Sequence, residues 1–168
     1  GRHLTEGDAV RSLVQWAAEA ADPPTYGPRI LDGSGAPHNV LMFQGIVDHY
    51  ILPPMANAST LSFGLDLAGN SLDDQTPEIA NYTPIRQLLP MSARGQIALP
   101  ATNNVTVGAA SVTAVVTQHA SDGVEDGHEI MFQEPGPKYQ YRCFLASYAK
   151  GVPAVVPDSQ DSDALCPL

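Results

Sequence analysis

The stretch from Asn39 to Gly69, NVLMFQGIVDHYILPPMANASTLSFGLDLAG, constrains the fold more than any other part of the chain. It opens with an apolar run of strand length, Val40 to Phe43, that breaks at Gly45. Asp48, His49 and Tyr50 follow in a short loop, and Pro53-Pro54 leads into a helix pattern. Met55, Ala58, Leu61, Leu65 and Ala68 recur at three- and four-residue intervals, and Gly69-Asn70 supply a stop signal. Open α/β sheets place catalytic groups in this way, with a polar residue just past a strand's carboxyl end and a helix following.

Upstream, residues 5 to 21 read as an amphipathic helix that Thr5 can cap, with Asp8 three positions on near the positive end of the dipole. Val10, Leu13, Val14, Ala17 and Ala21 form its apolar stripe, Trp16 sits beside it, and Asp22-Pro23-Pro24 ends it. A loop through Tyr26, Pro28, Gly33, Gly35 and Pro37 then leads to a strand expected over 39–44. Downstream, about 70–104 reads as a cap or insertion, with Pro77, Pro84, Pro90, Pro100 and one short strand, Gln96 to Leu99. Tyr82, Ile85, Leu88 and Leu89 there are candidates for a lid, and their apolar content argues that the segment packs on something. Val105 to Gln118 is the second strand region, clearest from Ser111 onward, where β-branched residues dominate. A polar loop, His119 to Gly127, leads to His128, and Pro135 opens a last helix with apolar positions Tyr141, Phe144, Leu145 and Tyr148.

The order is α/β, with two principal strands and at most a third short one. A parallel sheet is covered on both faces, and an open inner edge templates aggregation. The expectation is therefore that the rest of the sheet lies on another polypeptide. The opening GRHLTEGDAV has neither an initiator Met nor the apolar core of a signal peptide, which reads as a processed or excised piece of something longer. A net charge of −10 argues against nucleic acid or an anionic membrane as partner. No apolar run approaches the roughly 20 residues of a membrane span. Cys143 and Cys166 are either a buried and a tail thiol or a disulfide. The proline-rich tail after Gly151 has no helix period and needs tying down, which favours the disulfide and an oxidising compartment. Sequons stand at Asn57, Asn81 and Asn104.

Asp48 and His128 each follow a strand, 80 positions apart (128 − 48). In a parallel sheet both loops open on one edge, where the carboxylate can orient the imidazole as a general base. The plainer readings are an aspartate capping the helix near Pro53 and a turn histidine after Asp-Gly. Gly45-Ile46-Val47-Asp48-His49-Tyr50-Ile51-Leu52-Pro53-Pro54 resembles the acid loop of α/β-hydrolase-fold esterases and lipases, and Asp126-Gly127-His128 with Ile130-Met131-Phe132 resembles their histidine loop. The resemblance covers most of the chain but only the C-terminal half of that fold, in the family's order of acid then histidine. The Gly-x-Ser-x-Gly nucleophile elbow and the oxyanion loop are absent: Ser34 sits in Asp-Gly-Ser-Gly-Ala and Ser92 in Pro-Met-Ser-Ala-Arg-Gly.

The resemblance therefore implies the C-terminal part of a single α/β-hydrolase domain, its parallel strands and flanking helices completed by a separate N-terminal chain. That partner would carry the serine and the oxyanion hole. Catalytic roles fall on Asp48 and His128, and the substrate, a small ester or lipid, would meet His49, Tyr50, Met131 and Phe132. Core packing is the plainer reading of Met131 and Phe132. No cofactor is expected, and a metal site from His49, Asp48 and His119 has no ligand spacing behind it. His3 and His38 read as incidental. The implied locale is secreted or the periplasm and cell envelope. A rival reading is a non-catalytic α/β module that binds a partner through its open sheet edge. A peptidase or thioesterase would differ only in its acyl pocket.

Overall fold

In the computed structural model, residues 5, 8–32 and 35–167 are described, and His3, Gly33 and Ser34 lie outside them. The strands, in chain order, are β1 (Val40–Ile46), β2 (Asp66–Ala68), β3 (Gln96–Ile97), β4 (Ala101–Thr102), β5 (Val105–Val107), β6 (Ala110–Val112), β7 (Ala114–Ala120) and β8 (Ala154–Val155). The α-helices are α1 (Ala9–Ala18), α2 (Pro23–Tyr26), α3 (Pro28–Asp32), α4 (Pro53–Phe63), α5 (Ile85–Leu88), α6 (Ile130–Gln133) and α7 (Pro135–Ala149).

The chain is α/β. One parallel sheet runs in the order β1-β7-β2-β3, so it holds four strands where the sequence suggests two or three. The strand missed is β2. Leu65-Asp66-Leu67-Ala68 continues the apolar spacing of α4, so periodicity carries the helix to Ala68. Gly64 ends it at Phe63 instead. Its φ of +65° lies in the left-handed region open to glycine, and its N–H bonds to the carbonyls of Thr60 and Leu61. A short buried strand cannot be told from a helix extension by period alone.

β7 is an inner strand between β1 and β2, and its Ala-Val-Val-Thr run suits a position covered on both faces. Ala114 and Val116 enter one core with Leu31, Leu67, Ile85 and Leu89, while Val115 enters another with Ala68, Ala101 and Val155. Each fully buried valine contributes about 1.5–3 kcal/mol relative to exposure. Val105 to Gln118 is a hairpin followed by a strand: β5 and β6 pair antiparallel around Gly108, φ +60°, and β7 begins at Ala114. Residues 70–104 pack into the same domain, since Ile85 and Leu89 are fully buried and Leu88 packs against them. Tyr82 is exposed.

Both long helices at the periphery differ from the pattern. α1 buries none of its residues, and Val10, Leu13, Val14 and Trp16 face solvent. Its N-cap is Asp8, whose Oδ2 accepts the Thr5 N–H at 2.6 Å, so the capping pair is inverted from the expected one. α7 buries Tyr139, Gln140, Cys143 and Ser147, and leaves Tyr141, Leu145 and Tyr148 at 39%, 59% and 62% exposure. Tyr139, Cys143 and small and polar residues seat this helix, and of the expected apolar positions Phe144 packs on the Val115 cluster while the other three are exposed.

Behind α7 the tail is tied down as expected. Cys143 and Cys166 form a disulfide, β8 pairs antiparallel with β4, and Val155 and Val156 are buried. A disulfide points to an oxidising environment. No helix among the described residues is long and apolar enough to cross a membrane. Of the sequons, the Asn57 amide is buried and the Asn104 amide is bonded to Asp66 and Ala114, while Asn81 is exposed.

Candidate active site

Asp48 and His128 stand on loops that leave neighbouring strands. β1 and β7 run parallel and in register from Val40↔Ala114 to Ile46↔Ala120, so both loops open on one sheet edge. Two glycines let the loops touch. A Cβ on Gly45 would run into the Gly127 carbonyl, and a Cβ on Gly127 would run into the Val47 carbonyl. With neither present, the Gly127 N–H donates to Val47 O at 2.9 Å. β1 therefore continues through Gly45 to Ile46, past the break that the sequence suggests there.

Asp48 is buried and uses both carboxylate oxygens. Oδ1 accepts the backbone N–H groups of Tyr50 and Ile51, each at 2.8 Å, which closes an Asx-type turn. Oδ2 lies 3.1 Å from His128 Nδ1. The expected cap of the Pro53 helix is not made: the N-cap of α4 is Leu52 with no side-chain cap bond, and Oδ1 serves the loop ahead of it while Oδ2 faces the imidazole. The Tyr50 ring flanks the imidazole with centroids 5.0 Å apart. His128 Nε2 has no hydrogen-bond partner among the described residues. A histidine that donates Nδ1–H to a carboxylate presents a bare Nε2, the arrangement of a general base.

Asp126 links the same two loops. Its Oδ1 accepts the backbone N–H of His49 at 3.1 Å and of His128 at 2.9 Å, and its Oδ2 lies 2.6 Å from His49 Nδ1. Desolvation pushes this carboxyl upward, but the N–H of His128 and the imidazole and N–H of His49 outweigh it, so its pKa falls below the ordinary value.

Beneath the loops, buried amides join the strand ends. Gln44 and Gln118 are register partners, and Gln118 Nε2 donates to Gln44 Oε1 at 2.9 Å. Gln44 Nε2 donates to Asn57 Oδ1 at 3.1 Å, and Gln118 Oε1 accepts the Leu72 N–H at 2.6 Å. The sequence signal for this network is a glutamine at the carboxyl end of each apolar strand. His119 is also buried. Its Nε2 lies 3.1 Å from Gln140 Oε1, whose amide nitrogen donates to Val156 O at 2.8 Å. The Gln140 oxygen is therefore an acceptor, and Thr117 Oγ1 lies 3.0 Å from the same His119 Nε2. Burial lowers the His119 pKa, opposed by the Asp158 charge and the Gln140 bond.

The expected lining residues disperse. Tyr50 touches the His128 ring, and His49 turns to Asp126. Met131 and Phe132 on α6 are exposed, so core packing describes neither. Ser92 donates to Leu89 O within its own turn, and Ser34 lies outside the described residues. A cavity of about 600 Å³ opens beyond β7, β2 and β3 and is lined by Asn70, Gln118, His119, Glu134 and Asp158. Neither Asp48 nor His128 lines it. Among the described residues no group of three or more His, Cys, Asp or Glu side chains could hold a metal.

Fold and site together define an α/β protein with a hydrogen-bonded Asp–His pair at the carboxyl ends of adjacent parallel strands. No family model matches the chain, and neither a curated protein nor a solved structure is significantly similar to it.

Proposed function

We propose that this chain supplies the acid and the base of a Ser-His-Asp triad in an ester hydrolase whose nucleophile sits on an N-terminal polypeptide. The observation that carries the proposal is the Asp48 Oδ2–His128 Nδ1 contact of 3.1 Å with Nε2 unengaged among the described residues. In the reaction, the serine hydroxyl attacks the ester carbonyl while His128 Nε2 takes its proton. Asp48 holds Nδ1–H and stabilises the imidazolium, and backbone N–H groups of the partner bind the oxyanion. His128 returns the proton to the leaving alcohol. Water then repeats the sequence to release the acid.

Two further features support an N-terminal partner. β1 has no strand on its far side among the described residues, although it belongs to a parallel sheet. The Tyr141, Leu145 and Tyr148 stripe of α7 is uncovered. A polypeptide that adds a parallel strand beside β1 would cover the first. Tyr50, His49, Met131 and Phe132 would then flank the substrate, a small ester or lipid. The disulfide suits a secreted or cell-envelope locale.

The open edge equally suits the rival reading, a non-catalytic binding module. The complete assembly should hydrolyse short p-nitrophenyl esters, and native mass measurement should find a second, non-identical polypeptide with a Gly-x-Ser-x-Gly segment. A lone or self-paired chain without esterase activity would leave only the module.

A further inference from the structure

The two site loops pair crosswise. The first carries Asp48 and His49, the second Asp126 and His128, and each aspartate meets the other loop's histidine through Nδ1, at 3.1 Å for Asp48–His128 and 2.6 Å for Asp126–His49. The triad scheme uses one pair and gives the other no part in proton transfer.

The two pairs differ in burial. The side chains of His128 and Asp48 are 44% and 11% exposed, those of His49 and Asp126 75% and 21%. A solvated ion pair is ordinarily worth little. This one also fixes backbone, because Asp126 Oδ1 accepts the N–H of His49, next to the catalytic acid, and the N–H of His128 itself. His128 sits in a single 3-10 turn, Gly127–Glu129, with Asp126 as its N-cap. A turn that short has little stability of its own. Its placement over β1 rests on Asp126 and on the Gly127–Val47 contact.

We propose that His49 and Asp126 are positioning residues: their pair clasps the two loops so that Asp48 Oδ2 and His128 Nδ1 stay within hydrogen-bond reach. The proposal rests on reading Asp48–His128 as the catalytic pair. His49 orients the Asp126 carboxylate, and Asp126 orients His128 through its backbone. Loss of the clasp would let the His128 turn swing and populate imidazole tautomers without Nδ1–H.

Long-range ¹⁵N–¹H correlation of the histidine rings tests this in the chain itself, at a pH above the titration range of ordinary imidazole. His128 should report protonated Nδ1 and bare Nε2. His49→Ala changes an exposed side chain and should keep the amide spectrum of β7 and α7, yet raise the fraction of His128 with bare Nδ1 about three- to tenfold. His49→Asn, whose amide can still donate to Asp126, should restore most of the original tautomer ratio. Asp126→Ala should act at least as strongly as His49→Ala. An unchanged His128 tautomer in both alanine variants overturns the proposal, as does equal loss in His49→Ala and His49→Asn. If the tautomer follows His49 but the assembly hydrolyses no ester, the clasp stands and the catalytic reading falls. A wild-type His128 without preference for Nδ1–H overturns both.

Discussion

Replacing Asp48 by asparagine separates the two tasks of one carboxylate. Its Oδ1 holds the Tyr50 and Ile51 N–H groups at 2.8 Å, while its Oδ2 faces His128. Asparagine is nearly isosteric, and its single oxygen keeps both backbone bonds. That choice turns the NH₂ group toward His128 Nδ1. Two donors cannot face each other, so the ring moves its proton to Nε2. Stability should change modestly, because the three charge-assisted bonds of the carboxylate become neutral ones at a cost of about 1–2 kcal/mol in all. Asp48→Ala leaves the part-buried N–H groups of Tyr50 and Ile51 without their acceptor and should cost about 2–3 kcal/mol. Catalysis should follow the opposite order of subtlety. Even the well-folded asparagine variant loses the lone pair on Nε2, and tautomer inversion of this kind costs about 10⁴ in kcat. Urea unfolding gives the stabilities, and ring ¹⁵N shifts give the tautomer. An Asp48→Asn protein that keeps protonated Nδ1 on His128, or that is as unstable as Asp48→Ala, would refute the reasoning.

Other outcomes follow from the same geometry. Gly127→Ala drives a Cβ into the Val47 carbonyl and should part the loops, costing about 1–3 kcal/mol and the His128 tautomer preference; unfolding and ring ¹⁵N spectra check both. Reducing Cys143–Cys166, which closes a 23-residue separation, should cost about 3 kcal/mol in the chain-entropy model, read as a drop in the urea midpoint between oxidised protein and a Cys143→Ser/Cys166→Ser pair. His119 titrates lower in the fold than its ordinary value of 6.5, so its contribution is complete above that pH and declines as the pH falls toward the lower folded value. Unfolding free energies of wild type and His119→Gln should therefore converge on acidification below 6.5, and parallel curves would contradict the assignment.

The dyad was legible in the sequence because its parts are local. Each member lies on a loop that follows an apolar strand, Asp48 three residues past Gly45 and His128 next to Gly127, and strand order sets both on one edge. The disulfide was legible because a tail without periodicity needs an anchor. β2 was not, since Leu65 and Ala68 fall in phase with α4 and only Gly64 marks the change. The seating of α7 was hidden for a related reason. Hydrophobicity picks out Tyr141, Phe144, Leu145 and Tyr148, of which only Phe144 packs on a core cluster, whereas Tyr139, the disulfide and the Gln140 bonds decide which side faces inward. Gln44 and Gln118 were passed over because their pairing exists only once the register of β1 and β7 is known. Asp126 was seen as part of a turn before His128, and its hold on His49 is a tertiary contact across 77 positions.

Covalent labelling of the complete assembly with a fluorophosphonate, which reacts with an activated serine, tests the central claim most directly. The account predicts a single labelled serine on the partner polypeptide, outside these 168 residues, and a labelling rate at least about 10³-fold lower in His128→Ala. Equal labelling in wild type and His128→Ala would contradict it, and so would a complete assembly that takes no label.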